Sequence, residues 1–376
     1  MRVGISSTPL MHLDGSRKQY DGIGVYTSSL MNALKTNTEV RPIYFKPIEE
    51  LFQPIPQSML QKQPCATNPI IRQYFPLRSY DNLEKSIDIF HSTDYMVPRF
   101  KRIPVIATLH DAIMIKHTNW ANPKRRTLKN YLLKKLSHNA QHIITISNAV
   151  KYDIVDHFGI SDYRVSVIYH GLSNEWLETL APNKIDTALQ KHDLAKERYF
   201  LFVGTLQPRK NIARILKAYQ QLPQHIQDEF KLVFIGKIGW LDKETYSQIE
   251  RLVSTGNLKW LQYIDSEDVR ALYQASKLVL FPSLSEGFGF PIIEGFASKT
   301  PVITSESGAT AETAGDSAYL VDPESVEHIA HAIKEITEDD TLRNKLIDSG
   351  YERAKTFTWE RCAEKTKKVY DIILGQ

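Results

Sequence analysis

Pro282-Ser-Leu-Ser-Glu-Gly-Phe-Gly-Phe-Pro-Ile-Ile-Glu294 decides how the rest of the chain is read. It follows Lys277-Leu-Val-Leu-Phe281, a short apolar run bounded by Pro282, which the pattern predicts to be a buried strand. A Ser/Gly-rich turn comes next. Then Pro291-Ile-Ile-Glu-Gly-Phe-Ala297 predicts a helix with proline in its first turn, where the missing N–H costs nothing. Strand, glycine-rich loop and helix together aim free backbone N–H groups and the positive end of a dipole at an anion. Glu286 lies on the loop and Glu294 about a turn inside the helix, so both carboxylates can face one ligand at the carboxyl end of a sheet. A surface turn with two solvated acids is the alternative, and the Gly-Phe-Gly-Phe-Pro between the acids argues against it.

This pattern resembles the Glu-x7-Glu motif of retaining glycosyltransferases of the GT-B fold, family 4. The resemblance implies that Glu286 contacts the hydroxyls of a donor sugar, while Glu294 takes the ribose hydroxyls of its nucleotide. Gly287, Phe288 and Gly289 complete the donor loop. The likeness covers nearly the whole chain and is tightest from Gly204 to Glu294.

Val203-Gly-Thr-Leu-Gln-Pro-Arg-Lys-Asn211 is the second informative stretch. Gly204 ends a predicted strand, Pro208 stiffens the loop, and Arg209 and Lys210 arrive just before a helix. A guanidinium and an ammonium in that position suit a diphosphate, combining bidentate and point-charge contacts. In the family the matching Arg and Lys hold the nucleotide diphosphate and neutralise the leaving group; two solvated cations in a turn are the alternative.

Asp21-Gly-Ile-Gly24 lacks the third glycine of a dinucleotide fingerprint and follows too long a loop, so NAD is not expected. By resemblance, Gly22 and Gly24 belong to a glycine-rich loop beside the donor phosphates. Leu109-His-Asp111 ends a predicted strand at its carboxyl edge. The family places such a histidine at the donor sugar near the reacting centre, making His110 a catalytic candidate. Asp111 is a candidate acid/base or acceptor-positioning group. A His at position 170 replaces the polar residue that relatives often carry there.

At 376 residues the chain accommodates two domains, and 42% hydrophobic with 24% charged residues is ordinary globular composition. Alternating strands and helices predict an α/β chain of two Rossmann-like domains facing a central cleft, the GT-B arrangement. Residues 1–175 are expected to bind the acceptor and residues 176–358 the nucleotide-sugar donor. The polar stretch Gly171–Arg198 separates the two. The final helix, from Trp359, either packs on its own domain or, as in GT-B proteins, crosses back with residues 359–376 to the first. Its apolar residues are Cys362, Val369, Ile372 and Ile373.

Cys65 and Cys362 lie far apart, which fits a reducing compartment. With no long apolar segment, a cytoplasmic protein is expected, either free or working at the inner face of the membrane. Residues 1–180 carry 22 basic and 15 acidic side chains, and the remainder 25 and 28. The basic excess is concentrated in residues 122–136, a predicted amphipathic helix with Leu128, Tyr131, Leu132 and Leu136 at helical spacing. It either lies on an anionic membrane or packs on the sheet as an ordinary surface helix. Nucleic acid is not expected as a partner, since the basic residues lack interleaved aromatics.

The resemblance therefore implies transfer of a hexose from a nucleotide diphospho-sugar, of the GDP-mannose or UDP-glucose type, to a saccharide or lipid-linked saccharide. No cofactor is implied, and without any Asp-x-Asp no metal clamp is indicated. A GT-B epimerase or a non-catalytic nucleotide-sugar-binding protein is the alternative.

Overall fold

The computed structural model describes residues 1–10, 22–45, 65–66, 80–116 and 126–376. They form two units, one of Met1–Gly171 with Trp359–Gln376 and the other of Leu172–Thr358.

The first unit is built on a parallel sheet of β1 (Arg2–Ser6), β2 (Glu39–Phe45), β3 (Cys65–Ala66), β4 (Ile89–Ser92), β5 (Val105–Leu109), β6 (His142–Thr145) and β7 (Val165–Val167). Their order is β3-β2-β1-β4-β5-β6-β7. The order reverses between β1 and β4, so the loops after these two strands diverge and leave a crevice at their carboxyl ends. Strands β1, β4 and β5 are buried almost end to end, as strands of a parallel sheet covered on both faces must be.

The second unit repeats the plan with β8 (Tyr199–Val203), β9 (Lys231–Ile235), β10 (Leu258–Leu261), β11 (Leu278–Phe281), β12 (Val302–Ser305) and β13 (Tyr319–Val321). Here the order is β10-β9-β8-β11-β12-β13, all parallel. Its reversal lies between β8 and β11, where Phe200 and Leu201 pair with Leu278 and Val279.

Several strands coincide with the apolar runs that predict them, among them Arg2–Ser6, Val105–Leu109, Tyr199–Val203, Lys231–Ile235 and Leu278–Phe281. Other expectations need correction. The stretch 171–198 is no bare linker: Pro182–Lys191 forms a helix in the second unit, with Pro at its start. Ile185 and Ala188 pack with Ala271, and Lys184 and Lys191 pair with Glu267 and Asp268 at 2.6 and 2.7 Å. The helix Asn148–Asp153 widens into a π turn, Ile154–Phe158, stopped by Gly159 in the left-handed region. Of the expected basic helix, residues 122–125 lie outside the described residues; the helix observed is Arg126–Ser137. Leu136 is buried within it, but Tyr131 is 56% exposed and so leaves the predicted stripe.

The final helix, Trp359–Leu374, belongs to the first unit and packs against the helix Gly22–Leu34. Cys362 and Val369 are buried, whereas Ile372 is 73% exposed and takes no part in the packing face. A buried polar chain fixes the helix in register. Tyr370 Oη shares a 2.6 Å hydrogen bond with His91 Nδ1, and His91 Nε2 shares one of 2.8 Å with Thr108 Oγ1. Thr108 in turn meets Tyr26 Oη at 2.8 Å. All four side chains are buried, so each depends on the others for its hydrogen bonds.

Tyr370→Phe should therefore cost about 1–3 kcal/mol, the penalty of orphaning a buried polar group, although it removes a single oxygen. Thermal unfolding would show it, and an unchanged midpoint would mean that the chain contributes nothing. Burial, with some repulsion from His110, also lowers the His91 pKa to about 3. The unfolded chain binds a proton there below about pH 6.5. The folded chain refuses it until about pH 3, so stability at this group falls with pH across that window.

Candidate functional site

The chemistry-bearing side chains of the second unit meet at the reversal between β8 and β11. Gly204 leaves β8 with φ +147°, a conformation that favours glycine, and its N–H donates to Ile235 O at 2.9 Å. The chain then makes a tight turn, Pro208–Lys210, before the helix Ile212–Gln220. Asn211 between them adopts φ +63°, which asparagine tolerates better than most residues. Its side-chain amide donates to Pro282 O at 2.9 Å and Pro323 O at 2.6 Å, tying this turn to the loop after β11. Leu284 N–H donates to Arg209 O at 2.8 Å, and Arg209 Nη1 donates to Ser285 O at 3.2 Å.

Glu286 lands between the two cations. Arg209 Nη1 is 2.7 Å from its Oε2 and Lys210 Nζ is 2.5 Å from its Oε1. Burial opposes the charge on Glu286, but Lys210 and Arg209 outweigh it and hold the carboxyl below its ordinary range. Burial likewise lowers the pKa of Lys210, with Glu286 acting against it. The Lys210 ammonium also sits 4.5 Å from the Phe281 ring centroid, over the last residue of β11. Arg209, Lys210 and Glu286 together carry one net positive charge, and Glu294 lies close enough to Lys210 to feel it.

The helix Phe290–Ala297 opens at Gly289, with φ +105°, where a Cβ would also come within 2.9 Å of Ile292 Cδ1. Gly287 is half-buried and Phe288 is buried, its ring edge-on to Phe290 and Phe357. Phe288 is thus an anchor for the loop. Its carbonyl accepts from Thr313 Oγ1 at 2.8 Å. Ser283 buries its Oγ with no hydrogen-bond partner among the described residues. Glu294 is half-buried one turn into the helix and accepts from Tyr273 Oη at 2.8 Å. Burial raises its pKa to about 7, against the lowering effects of Tyr273 and Lys210.

The remaining expected residues lie in the first unit. His110 follows β5, is buried, and donates from Nε2 to Thr93 O at 2.9 Å. Thr93 Oγ1 donates to Ser6 O at 3.0 Å, so the carboxyl ends of β1, β4 and β5 are clasped together around the histidine. The Tyr26 ring stands edge-on to His110 at 4.9 Å, and His170 lies 5.4 Å from it. His170 also packs on Trp359 at 5.9 Å and is held neutral, its pKa lowered by burial and by His110. Its place is thus an aromatic cluster. Asp111 is engaged locally: Oδ1 accepts from Ile113 N–H at 3.1 Å, at the start of the short helix Ile113–Lys116, and Tyr95 Oη bonds its backbone. Gly22 and Gly24 are not loop residues. Gly22 begins the helix Gly22–Leu34, and Gly24 is buried in its first turn. Asp21 lies outside the described residues.

The sequence reading missed Tyr273 and Asn211. Asn211 had a local signal, since Arg-Lys-Asn before a helix places a residue tolerant of positive φ at its start. Tyr273 had only its helical spacing, which any core tyrosine shares.

Two parallel α/β sheets, with Arg209, Lys210 and Glu286 brought together at the reversal of the second, define a GT-B protein. Residues 184–353 match the family described as Glycosyl transferases group 1, and residues 20–176 match Glycosyltransferase Family 4. O-antigen chain mannosyltransferase B of Escherichia coli is 31% identical over 306 residues, covering 80% of this chain and 77% of that one. O-antigen chain mannosyltransferase RfbU of Salmonella typhimurium is 29% identical over 207 residues, covering 55% and 54%. The Anabaena protein HepE, solved in complex with UDP and glucose, superposes with a TM-score of 0.72 at 18% identity over 99% of both chains. The chain belongs to the group 1, family 4 glycosyltransferases.

Proposed function

We propose that this glycosyltransferase moves a hexose, mannose in the first instance, from a nucleotide diphospho-sugar to a hydroxyl of a growing surface polysaccharide or its lipid-linked precursor. The meeting of Arg209 and Lys210 on Glu286 carries the reading. On donor binding the two cations hold the diphosphate, Glu286 turns to the sugar hydroxyls, and Glu294 takes the ribose. The positive end of the helix Phe290–Ala297 adds to the anion site. As the glycosidic bond breaks, charge builds on the leaving diphosphate, and fixed cations stabilise it without reorganising. The departing phosphate accepts the proton of the attacking hydroxyl on the same face of the sugar, so the anomeric configuration is retained. No metal is needed in this scheme, and turnover should survive a chelator. By the family resemblance, His110 is the candidate at the donor sugar and Asp111 the candidate for orienting the acceptor.

The mannose preference rests on the names of the two O-antigen relatives. Residues 126–137, which carry no acid and expose Tyr131, support contact with an anionic bilayer at the cytoplasmic face. Among the described residues no helix is long and apolar enough to cross a membrane.

Calorimetric titration with GDP and UDP is the direct test. One of them, GDP on the mannose reading, should bind, and Arg209→Ala should weaken it by roughly tenfold or more, as loss of a charge-assisted contact implies. Folded protein that binds neither nucleotide would end the donor-site assignment.

A further inference from the structure

Glu294 has a partner that nothing in the donor-site reading requires. Tyr273 lies on the helix Ser266–Ala275, fully buried, and donates its hydroxyl to Glu294 Oε2 at 2.8 Å. The Glu294 carboxylate makes no other hydrogen bond among the described residues. One of its oxygens is thus anchored and the other left for a ligand. Tyr273 is itself immobilised. Its ring meets Trp176 edge-on at 5.3 Å, and its carbonyl accepts from Thr300 Oγ1 at 2.7 Å and Ser276 Oγ at 3.0 Å. A buried phenol packed on Trp176, on a backbone whose carbonyl is tied down, is a rigid donor, and a carboxylate on a flexible two-carbon stem needs such a donor to keep one orientation.

We propose that Tyr273 is a positioning residue for donor binding: its hydroxyl holds the Glu294 carboxylate in the orientation that accepts the ribose hydroxyls of the nucleotide. The inference rests on Glu294 binding ribose, as read above. Tyr273 contributes affinity for the nucleoside end of the donor and none for the diphosphate end, which Arg209 and Lys210 hold.

The same hydrogen bond extends the pH range of binding downward, against the effect of burial. Two groups act on Glu294, Tyr273 from the helix Ser266–Ala275 and Lys210 from the turn after β8; Arg209 is spent on Glu286. Burial raises the carboxyl to about 7, while Tyr273 and Lys210 pull it down. A protonated Glu294 loses the charge that makes it a strong acceptor. Nucleotide affinity therefore falls as pH drops through about 7. Without the phenol hydroxyl that midpoint moves up.

The experiment is titration of wild type, Tyr273→Phe and Glu294→Gln with the nucleotide that wild type binds and with inorganic diphosphate, between pH 6 and 9 (about the range in which such a carboxyl titrates). Tyr273→Phe should weaken the nucleotide roughly tenfold, shift the pH midpoint upward, and leave diphosphate affinity unchanged. It should add nothing in a Glu294→Gln background, because the two act as one unit. Equal weakening of nucleotide and diphosphate would mean that the tyrosine merely supports the fold, and the proposal would be wrong. Unchanged nucleotide affinity in Tyr273→Phe, with a loss in Glu294→Gln, would also remove the role of Tyr273 while leaving the donor site standing. Unchanged affinity in Glu294→Gln would overturn the ribose assignment itself. If Tyr273→Phe does not fold, Tyr273→Met, which also lacks the hydroxyl, answers the same question.

Discussion

Lys210→Met is expected to lower the rate of sugar transfer by about 10²–10³-fold, the usual effect of removing one fixed donor from a charge-stabilising site. The methionine stem keeps the packing of the lysine chain over Gly204 and Phe281, so the substitution isolates the charge. In the native protein Lys210 Cε and Nζ come within 3.7 and 3.9 Å of where a Gly204 Cβ would sit. The change also leaves Glu286 with Arg209 alone. Stripping a buried charge of its whole partner costs roughly 3–5 kcal/mol, and here the loss is smaller because the guanidinium remains. Because Lys210 and Arg209 hold Glu286 below its ordinary pKa, that pairing stabilises the fold above the ordinary carboxyl range and is lost as pH falls. Lys210→Met should therefore flatten the acid limb of the stability profile as well as slow transfer. Steady-state rates with the bound donor, beside thermal unfolding from neutral to acid pH, measure both. A folded variant with unchanged transfer would remove Lys210 from the chemistry.

Gly236→Ala should be the most damaging single methyl in the second unit. Gly236 follows β9 at φ +140°, and a Cβ there would lie 2.2 Å from Gly204 O and 2.7 Å from Gly204 C. Both are backbone atoms, so no side chain can rotate away. Strain at a φ that L-residues avoid costs about 1–3 kcal/mol, and overpacking against fixed atoms adds about 1–3 more. The damage reaches the site because the ends of β8 and β9 continue side by side beyond the strands. Leu206 N–H donates to Lys237 O, and Gly239 N–H to Leu206 O, both at 3.0 Å. Pushing Gly204 moves the loop that delivers Arg209 and Lys210, so nucleotide affinity should fall with stability. Gly256→Ala is the control: φ there is +78°, but a Cβ would meet nothing within 4 Å. Denaturant unfolding of the two variants should separate them clearly, and equal losses would refute the close-approach argument.

The residues proposed to carry the chemistry stand out in the sequence because each pair sits in a short segment of constrained geometry. Arg209 and Lys210 are adjacent before a helix, and Glu286 and Glu294 flank one glycine-rich loop. The strands were readable for a different reason. A parallel sheet covered on both faces excludes water from both sides of each strand, so Tyr199–Val203 and Leu278–Phe281 are continuous apolar runs.

What no local pattern could supply is adjacency between distant segments. Arg209 and Glu286 are 77 residues apart, and they meet because the strand order places β8 beside β11. Only that pairing reveals Glu286 as the carboxylate clamped between both cations. The same holds for Tyr273 on Glu294 and for Gly236 under the Gly204 carbonyl. It holds also for Tyr370 reaching His91 from the far end of the chain. The last of these decides the alternative the sequence left open, placing the final helix with the first unit. Spacing along the chain encodes which groups a segment can present. Which groups they meet is set by long-range packing, where a buried polar atom must find its partner wherever the fold has put it.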